Sequence, residues 1–160
     1  MIPIDLRPVA YILVGLPASG KSTWVANQEW AEECAYISTD HYIEEEAKEK
    51  DTTYNTVFDS YMPIAVKRME CAVMHATDNY QDVIWDQTSL TVKSRKRKFQ
   101  MLRGYKMIAV IFKEPTAPIL EFRLNNRPGK TIPDHCITKM RNSYVAPNES
   151  EGFEEIWNTN

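Results

Sequence analysis

The chain has 160 residues, a length typical of one domain with a core of its own. Its composition, 43% hydrophobic and 26% charged, excludes a disordered chain, and no apolar stretch approaches the ~20 residues of a membrane span. The net charge of −3 excludes a uniformly basic nucleic-acid binder, so contact with a polyanion would need a local basic patch.

The cysteines and the amino terminus both favour the cytoplasm. Cys34, Cys71 and Cys136 lie far apart and form no CxxC pair, which argues against a disulfide framework and against a thiolate zinc site. The first residues mix scattered apolar side chains with Asp5 and Arg7, unlike a signal or transit peptide. We therefore expect a cytoplasmic protein without a membrane partner, organised as one domain over residues 1–160. The sequence leaves its oligomeric state open.

Short apolar runs alternate with longer segments of helical periodicity. The first run, residues 9–14, is almost continuously apolar, as buried strands of parallel sheets are. Strands are predicted at 9–14, 34–38, 82–86 and 107–112, and helices over 21–30, 54–77, 92–102, 118–125 and 133–144. This alternation predicts βαβ units, and hence an α/β fold with a parallel sheet of four to five strands flanked by helices.

Residues 15–22, Gly-Leu-Pro-Ala-Ser-Gly-Lys-Ser, match the phosphate-loop pattern GxxxxGK(S/T) between the first predicted strand and the first helix. Gly15 and Gly20 allow the tight turn that points backbone amides and the helix amino terminus at phosphate oxygens. Lys21 is predicted to reach the β- and γ-phosphates of ATP, and Ser22 to give a hydroxyl to Mg²⁺. An incidental helix-capping loop is the alternative. The predicted nucleotide-binding residues are Gly15, Ala18, Ser19, Gly20, Lys21, Ser22, Thr23 and Arg127.

Two aspartates follow predicted strands, at the sheet edge where ligands of parallel sheets collect. Asp40 comes just after the second strand, and a carboxylate there could take the proton of an attacking hydroxyl. The alternative for Asp40 is a helix N-cap. Asp86 ends the third strand, where a carboxylate could order the magnesium shell through water, with a plain turn residue as the alternative. Asp40, Asp86 and Thr88 are the predicted acceptor-side residues.

Arg123 and Arg127 are four residues apart near the end of a predicted helix, which places both on one face. Arginines on a mobile segment can close over triphosphate charge, so we expect a lid at about residues 123–133. A basic helix carboxyl terminus favoured by the helix dipole is the alternative. The predicted catalytic residues are thus Asp40, Lys21, Arg127 and Arg123.

One dense basic run follows the third strand. It consists of Lys93, Arg95, Lys96, Arg97 and Lys98. The run is either the solvated face of a helix or a surface for polyanions.

Taken together, these motifs resemble the polynucleotide 5′-kinase family. The phosphate loop is followed by Ser-Thr-Asp40, Asp86-Gln-Thr88 and Arg123-x3-Arg127, and residues 144–156 are similar in order and spacing. The resemblance implies a P-loop kinase fold with a helical lid, ATP and Mg²⁺ as cofactors, and Asp40 as the general base for a 5′-hydroxyl. It also implies that Arg127 contacts the transferring phosphate, with Arg123 assisting. We expect a nucleic-acid substrate, DNA in preference to RNA, in a bacterial or phage-infected cell, but the sequence leaves the choice between DNA and RNA open.

One position departs from this family. Phage members carry, three residues after the base, an arginine that holds the 3′-phosphate of the acceptor, and here that position is Ile43. Similar phage kinases phosphorylate the hydroxymethyl group of 5-hydroxymethyluracil in DNA, which is one alternative. Nuclear scaffold proteins carry a similar domain with an Asp-Gln-Thr motif, so a nucleotide-responsive binding module is another.

Overall fold

The structure, a computed structural model, describes residues 1–159. A five-stranded sheet lies at its centre, with strands in the order β2-β3-β1-β4-β5 and every neighbouring pair parallel. The strands are β1 (Val9–Val14), β2 (Ala35–Ile37), β3 (Val83–Trp85), β4 (Lys106–Ile111) and β5 (Glu155–Asn158). This confirms the predicted α/β fold with a parallel sheet.

Helices connect the strands in the alternation that the sequence predicts. They are α1 (Lys21–Ala26), α2 (Thr39–Glu49), α3 (Tyr54–Asp78), α4 (Val92–Met101), α5 (Ala117–Asn125) and α6 (Asp134–Ser143), with 3₁₀ turns at Glu29–Glu33 and Glu149–Glu151. Along residues 1–159, none of these helices combines the length and apolar character needed to cross a bilayer.

Both faces of the sheet are covered. Side chains of β1 alternate between the faces, as in any strand: Ala10, Ile12 and Val14 join a cluster with α3, whereas Leu13 points to the opposite side. On that opposite side aromatic residues of α1 and of the first 3₁₀ turn close the core. The carboxyl ends of β1, β2 and β3 therefore meet at one exposed edge between the two helical layers.

The first helix is shorter than predicted. The sequence suggested a helix to residue 30, but α1 ends at Ala26 and a 3₁₀ turn follows. Residues six apart on an α-helix point about 120° away from each other. Ending the helix early brings Trp24 and Trp30 together, with ring centroids 5.9 Å apart, and lays Trp30 4.5 Å from Tyr11 of β1. Aromatic packing on the sheet thus overrides helical propensity.

The structure buries two of the five cations in the basic run of α4. Arg95 is 0% exposed: its Nε and Nη2 donate to the two carboxylate oxygens of Glu151 at 2.8 and 3.0 Å, and its Nη1 donates to the carbonyl of Ser89 at 2.9 Å. Lys98 is also buried, with its Nζ 5.2 Å from the ring centroid of Trp85. The remaining exposed cations of the run are Lys93, Lys96 and Arg97. The buried pair therefore fits neither interpretation, whereas Lys93, Lys96 and Arg97, at spacing i, i+3 and i+4, share one exposed face of α4, for which both interpretations stay predictions.

The two buried cations of α4 predict opposite stability effects. Burial, reinforced by the charges of Arg97 and Arg95, lowers the pKa of Lys98 to about 8, so holding it charged at pH 7 costs free energy. We expect Lys98→Met to stabilise the protein by roughly 1–3 kcal/mol at pH 7. Arg95→Met should destabilise it by about 3–5 kcal/mol, because Glu151 is left buried and unpaired.

The pH dependence provides the check on Lys98. Its folded-state pKa lies below the unfolded value, so the unfolded state binds more protons between pH 8 and 10.5, and stability gained from Lys98 deprotonation rises through that window. The advantage of Lys98→Met in urea unfolding should therefore shrink from pH 7 to pH 10. A constant advantage, or a loss matching that of Arg95→Met, would contradict a buried, poorly compensated ammonium.

Candidate active site

The phosphate loop joins β1 to α1 in a conformation that small residues alone allow. A Cβ on Gly15 would lie 2.7 Å from the Oγ of Ser19 and 2.9 Å from the Cβ of Phe112, so a side chain there does not fit. Gly20 has φ +98°, a left-handed conformation that favours glycine, and Ala18 adopts φ 62°. The backbone N–H of Gly15 donates to the carbonyl of Thr88 at 3.0 Å, which ties the loop to the segment after β3.

Lys21 lies under this loop. It is buried, and its Nζ donates to the carbonyls of Gly15 and Leu16 at 3.0 and 2.8 Å. Burial lowers the pKa of Lys21 to about 8; the charge of Asp86 opposes this shift and that of Arg127 adds to it. Phosphate oxygens would give this ammonium the anionic partner that the backbone carbonyls replace here only in part.

Asp86 is held at the carboxyl end of β3 next to the start of α1. Its Oδ2 accepts hydrogen bonds from the Oγ of Ser22, at 3.2 Å, and from the hydroxyl of Tyr36. Burial, together with the carboxylate of Asp86, raises the pKa of Tyr36 above its ordinary value, so the phenol stays a donor. Tyr36 was missed at the sequence level because alternation in a short strand does not show which side chain reaches a neighbouring strand end.

The pair formed by Ser22 and Asp86 fits a magnesium ion. Hydroxyl and carboxylate oxygens are ligands that Mg²⁺ accepts, and they lie within 3.2 Å of each other beside the phosphate loop. Within residues 1–159, no group of three or more His, Cys, Asp or Glu side chains could hold a metal alone. A magnesium ion here would complete its shell with phosphate oxygens and water.

Asp40 lies in the first turn of α2, and the N-cap is Ser38. The Oγ of Ser38 accepts from the backbone N–H of His41 at 3.3 Å. The alternative interpretation of Asp40 as the helix cap is therefore wrong, and its carboxylate is available for other contacts. The side chain of Asp40 is half exposed and faces the cleft between α2 and the phosphate loop.

Two residues that the sequence did not single out hold the carboxylate of Asp40. The hydroxyl of Tyr54 donates to Oδ1 at 2.7 Å, and the Nζ of Lys130 lies 3.0 Å from Oδ2 and 3.0 Å from Oε1 of Glu44. Partial burial opposes ionisation of Asp40, but Lys130 and the Tyr54 hydroxyl outweigh it and lower the pKa of the carboxyl. Asp40 is accordingly charged at neutral pH.

The two predicted lid arginines lie beside the phosphate loop. The Nη1 of Arg123 donates to the carbonyl of Ala18 at 3.1 Å, so Arg123 contacts the loop rather than the end of its own helix. Arg127 lines the same cleft, and its buried Nη1 has no hydrogen-bond partner among residues 1–159. A buried guanidinium nitrogen without a partner beside a phosphate loop leaves a donor of Arg127 free for an anion.

One cleft of about 910 Å³ collects most of the predicted site residues. Those that line it are Ala18, Gly20, Lys21, Ser22, Thr23, Asp40, Asp86, Thr88, Arg123 and Arg127. Gly15 and Ser19 are not among them: Gly15 faces a smaller pocket, and the Oγ of Ser19 is buried without a partner in the described chain. The end of the cleft next to Asp40 has an apolar wall formed by Tyr54, Phe58, Met62, Ile132 and Met140.

The sheet order, the phosphate loop and the cleft at the carboxyl edge define a P-loop kinase-like protein. A family described as an AAA domain matches residues 11–147, and the chain belongs to this family of P-loop kinases.

Solved structures agree at the level of the fold. A putative kinase from Chloroflexus aurantiacus J-10-fl is 13% identical, with a TM-score of 0.69 over 96% of this chain and 85% of that chain. A sugar kinase from Janibacter sp. HTCC2649 is 14% identical, with a TM-score of 0.58 over 95% and 86%. Shikimate kinase from Acinetobacter baumannii, in complex with shikimate, is 16% identical, with a TM-score of 0.51 over 98% and 86%. The P-loop kinase fold predicted from the sequence is confirmed.

The lowered pKa of Lys21 predicts that polyphosphate binding takes up protons near pH 8. About half of the Lys21 side chains are neutral at that pH, and a bound triphosphate favours the charged form. Titration calorimetry with ATP·Mg²⁺ in buffers of different ionisation enthalpy should show uptake of roughly half a proton at pH 8 and almost none at pH 6.5. Lys98→Met, which removes the other lysine of low pKa, should leave this uptake unchanged; if it abolishes the uptake, the assignment to Lys21 is wrong.

Proposed function

We propose that this protein is an ATP-dependent kinase that transfers the γ-phosphate to a hydroxyl group of a nucleic acid, with a 5′-hydroxyl end of DNA as the first candidate. The observation that carries the proposal is the placement of Asp40, a charged carboxylate, in the same cleft as the phosphate-loop Lys21. We also infer that the chain acts as one kinase domain in which residues 123–133 form the lid.

The nucleotide side of the cleft would hold ATP and Mg²⁺. Amides of the loop and of the α1 amino terminus face the phosphates, Lys21 follows the β- and γ-phosphates, and Ser22 with Asp86 supports the magnesium shell. Magnesium bound there neutralises charge that develops on the phosphate oxygens.

The acceptor side would supply the proton transfer. The acceptor oxygen attacks the γ-phosphorus and forms an O–P bond, the bond from that phosphorus to the leaving oxygen of ADP breaks, and the hydroxyl proton passes to Asp40. The unpartnered Nη1 of Arg127 would meet charge on the transferring group, and Arg123 would hold the loop carbonyl beside it.

The proposal of a nucleic-acid acceptor rests on the motif resemblance, and one structural observation bears on which hydroxyl it carries. Support for a nucleic acid comes from the order and spacing of the family motifs, including Arg127 and residues 144–156. Ile43 is 0% exposed and packs between α2 and α3, so this position offers no contact to an acceptor phosphate. That observation favours the hydroxymethyl group of 5-hydroxymethyluracil over a 3′-phosphorylated strand end as a second candidate.

A small-molecule hydroxyl is a third candidate, and the surface favours it over long DNA. Burial of Arg95 and Lys98 leaves three exposed cations on α4, a smaller basic patch than the full run would offer to a nucleic-acid backbone, and structures of similar fold include a sugar kinase and a shikimate kinase. A binding module without catalysis is the last alternative. It would have no use for both an ionised Asp40 and an unpartnered Arg127 in one cleft.

An acceptor panel tests the proposal. Labelled γ-phosphate is offered to 5′-hydroxyl DNA and RNA, duplex DNA with 5-hydroxymethyluracil, deoxynucleoside monophosphates, gluconate and shikimate, and the labelled position is mapped. We expect label on the 5′ end of DNA and a rate lower by about 10²–10⁴ in Asp40→Asn, because the base is lost. The affinity of Asp40→Asn for ATP should be unchanged. Asp59→Asn, a matched exposed change on α3, should leave the transfer rate unchanged.

The other outcomes separate the alternatives. Label on the base of the modified duplex identifies the hydroxymethyl reaction, and label only on a small molecule refutes the nucleic-acid acceptor. Binding of ATP without transfer to any acceptor would identify a binding module.

A further prediction concerns the lid. Arg127→Ala should lower kcat by about 10³ or more and change ATP affinity far less, because the interaction is made with charge that develops during transfer. Single-turnover rates and equilibrium ATP binding measure the two effects separately, with the exposed Arg103→Ala as the matched control. A change in melting temperature with no change in kcat would assign Arg127 a structural role only.

A further inference from the structure

The segment after the lid arginines is anchored to the start of α3. The carbonyl of Gly129 accepts from the backbone N–H of Asn55 at 3.0 Å. The side chain of Asn55 in turn accepts from the N–H of Thr131, at 3.2 Å, and donates to its Oγ1, at 2.5 Å. Gly129 has φ +69°, and a Cβ on it would lie 2.6 Å from the Cβ of Thr53. Contacts on both sides of Lys130 therefore fix its backbone against α3.

Lys130 extends from this anchored segment to α2. Its side chain is only 10% exposed, and its ammonium contacts Asp40 and Glu44 while lying 4.3 Å from the ring centroid of Tyr54. The hydroxyl of the same Tyr54 donates to the other oxygen of Asp40. Both oxygens of the carboxylate are thus held, one from α3 and one from the lid.

We propose that Lys130 is a positioning residue for the phosphoryl transfer inferred above: docking of residues 129–131 on α3 places its ammonium on Asp40, so that the base is correctly oriented only while the lid segment is docked. The proposal rests on the role of Asp40 in the proposed function. It adds a residue and a condition that the phosphate loop and the lid arginines do not supply.

Among the charged groups around Asp40, Lys130 does most to stabilise the ionised carboxylate. Cations that face the carboxylate are Lys130 and Arg127 from the lid and Lys21 from α1, and Tyr54 faces it from α3, with His41 and Glu44 on its own helix. Of these cations Lys130 is the one in hydrogen-bond contact. Glu44 lies four residues after Asp40 on the same helix, where like charges repel. Removal of Lys130 would leave this repulsion uncompensated.

The experiment compares Lys130→Met with Lys130→Arg, which keeps a charge, and with Lys48→Met, an exposed change on α2. In Lys130→Met we expect kcat to fall about 10- to 100-fold, as for other losses of geometry, with the KM for ATP unchanged. The acid limb of the plot of kcat against pH should shift to higher pH by about one unit or more, because the pKa of Asp40 rises when the charge of Lys130 is lost. Lys130→Arg should recover much of the parental kcat and of the parental pH profile. Lys48→Met should match the parent in both quantities.

A second variant tests docking without touching either charge. Gly129→Ala introduces a strained side chain against Thr53 and should displace the lid segment. We expect its kcat to fall and its acid limb to move in the same direction as in Lys130→Met. Melting curves check that both variants fold. A loss of melting temperature with kcat per folded molecule and pH profile unchanged would show a structural role and overturn the proposal.

A measurement without substrate separates failure of this proposal from failure of the proposed function. Carbon-detected NMR titration of the Asp40 carboxyl, assigned with Asp40→Asn, should show a higher pKa in Lys130→Met than in the parent. An unchanged titration overturns the proposal whatever the acceptor is. Full transfer by Asp40→Asn would refute the base itself, whereas full transfer by Lys130→Met beside an inactive Asp40→Asn would refute only positioning.

Discussion

The cleft depends on the ionisation of Asp40 in a place where partial burial works against it. Asp40 is half exposed, so water solvates part of the carboxylate, and donors or cations compensate the part of the solvation that is lost. Tyr54 supplies a hydroxyl and Lys130 an ammonium, and these come from separate elements, 14 and 90 residues away in the chain. The contacts of the Asp40 carboxylate are therefore complete only when α2, α3 and the segment 129–131 are packed together.

The half of the cleft around the phosphate loop differs, because its cations lack full compensation by protein groups. Lys21 and Arg127 are cations whose protein contacts compensate them poorly: Lys21 is left with backbone carbonyls, and Arg127 has a buried nitrogen without a partner among residues 1–159. One half of the cleft thus has its charge satisfied by the fold, and the other half retains positive charge for an incoming anion. This polarity would suit the phosphoryl transfer proposed above, in which an anionic phosphate is drawn in while the Asp40 carboxylate stays fixed.

Local sequence signals predicted those features that depend on neighbouring residues. The phosphate loop has a fixed pattern, α3 has a long periodic face, and Asp40 and Asp86 are placed by the ends of strands, so their position in one cleft follows from the parallel sheet. β5 was missed because its four residues, Glu-Ile-Trp-Asn, mix charged and polar side chains with apolar ones and form no apolar run. The buried state of Arg95 was missed because its partner Glu151 is 56 residues away. Tyr36, Tyr54 and Lys130 were missed for the same reason.

The carboxyl-terminal stretch shows that similarity of motif and location of chemistry can separate. Residues 144–156 carried much of the family resemblance, yet Asn148 and Glu151 form a capping box in a 3₁₀ turn, and Glu151 is the ion-pair partner of buried Arg95. In this chain the stretch braces α4 and leads into β5. It supports the fold, and it argues for an acceptor only through the family to which its pattern points.

Lys21 and Lys98 show why a perturbed pKa identifies a site only together with its surroundings. Burial lowers both pKa values to about 8. Lys98 lies beside the ring of Trp85, and its ammonium makes one long hydrogen bond, 3.4 Å, to the carbonyl of Ser94. Lys98 does not line the cleft. Lys21 opens onto the cleft, and an anion can reach it there. Burial of Lys98 only lowers stability. The lost solvation of Lys21 could be compensated by a bound anion, because Lys21 faces the cleft.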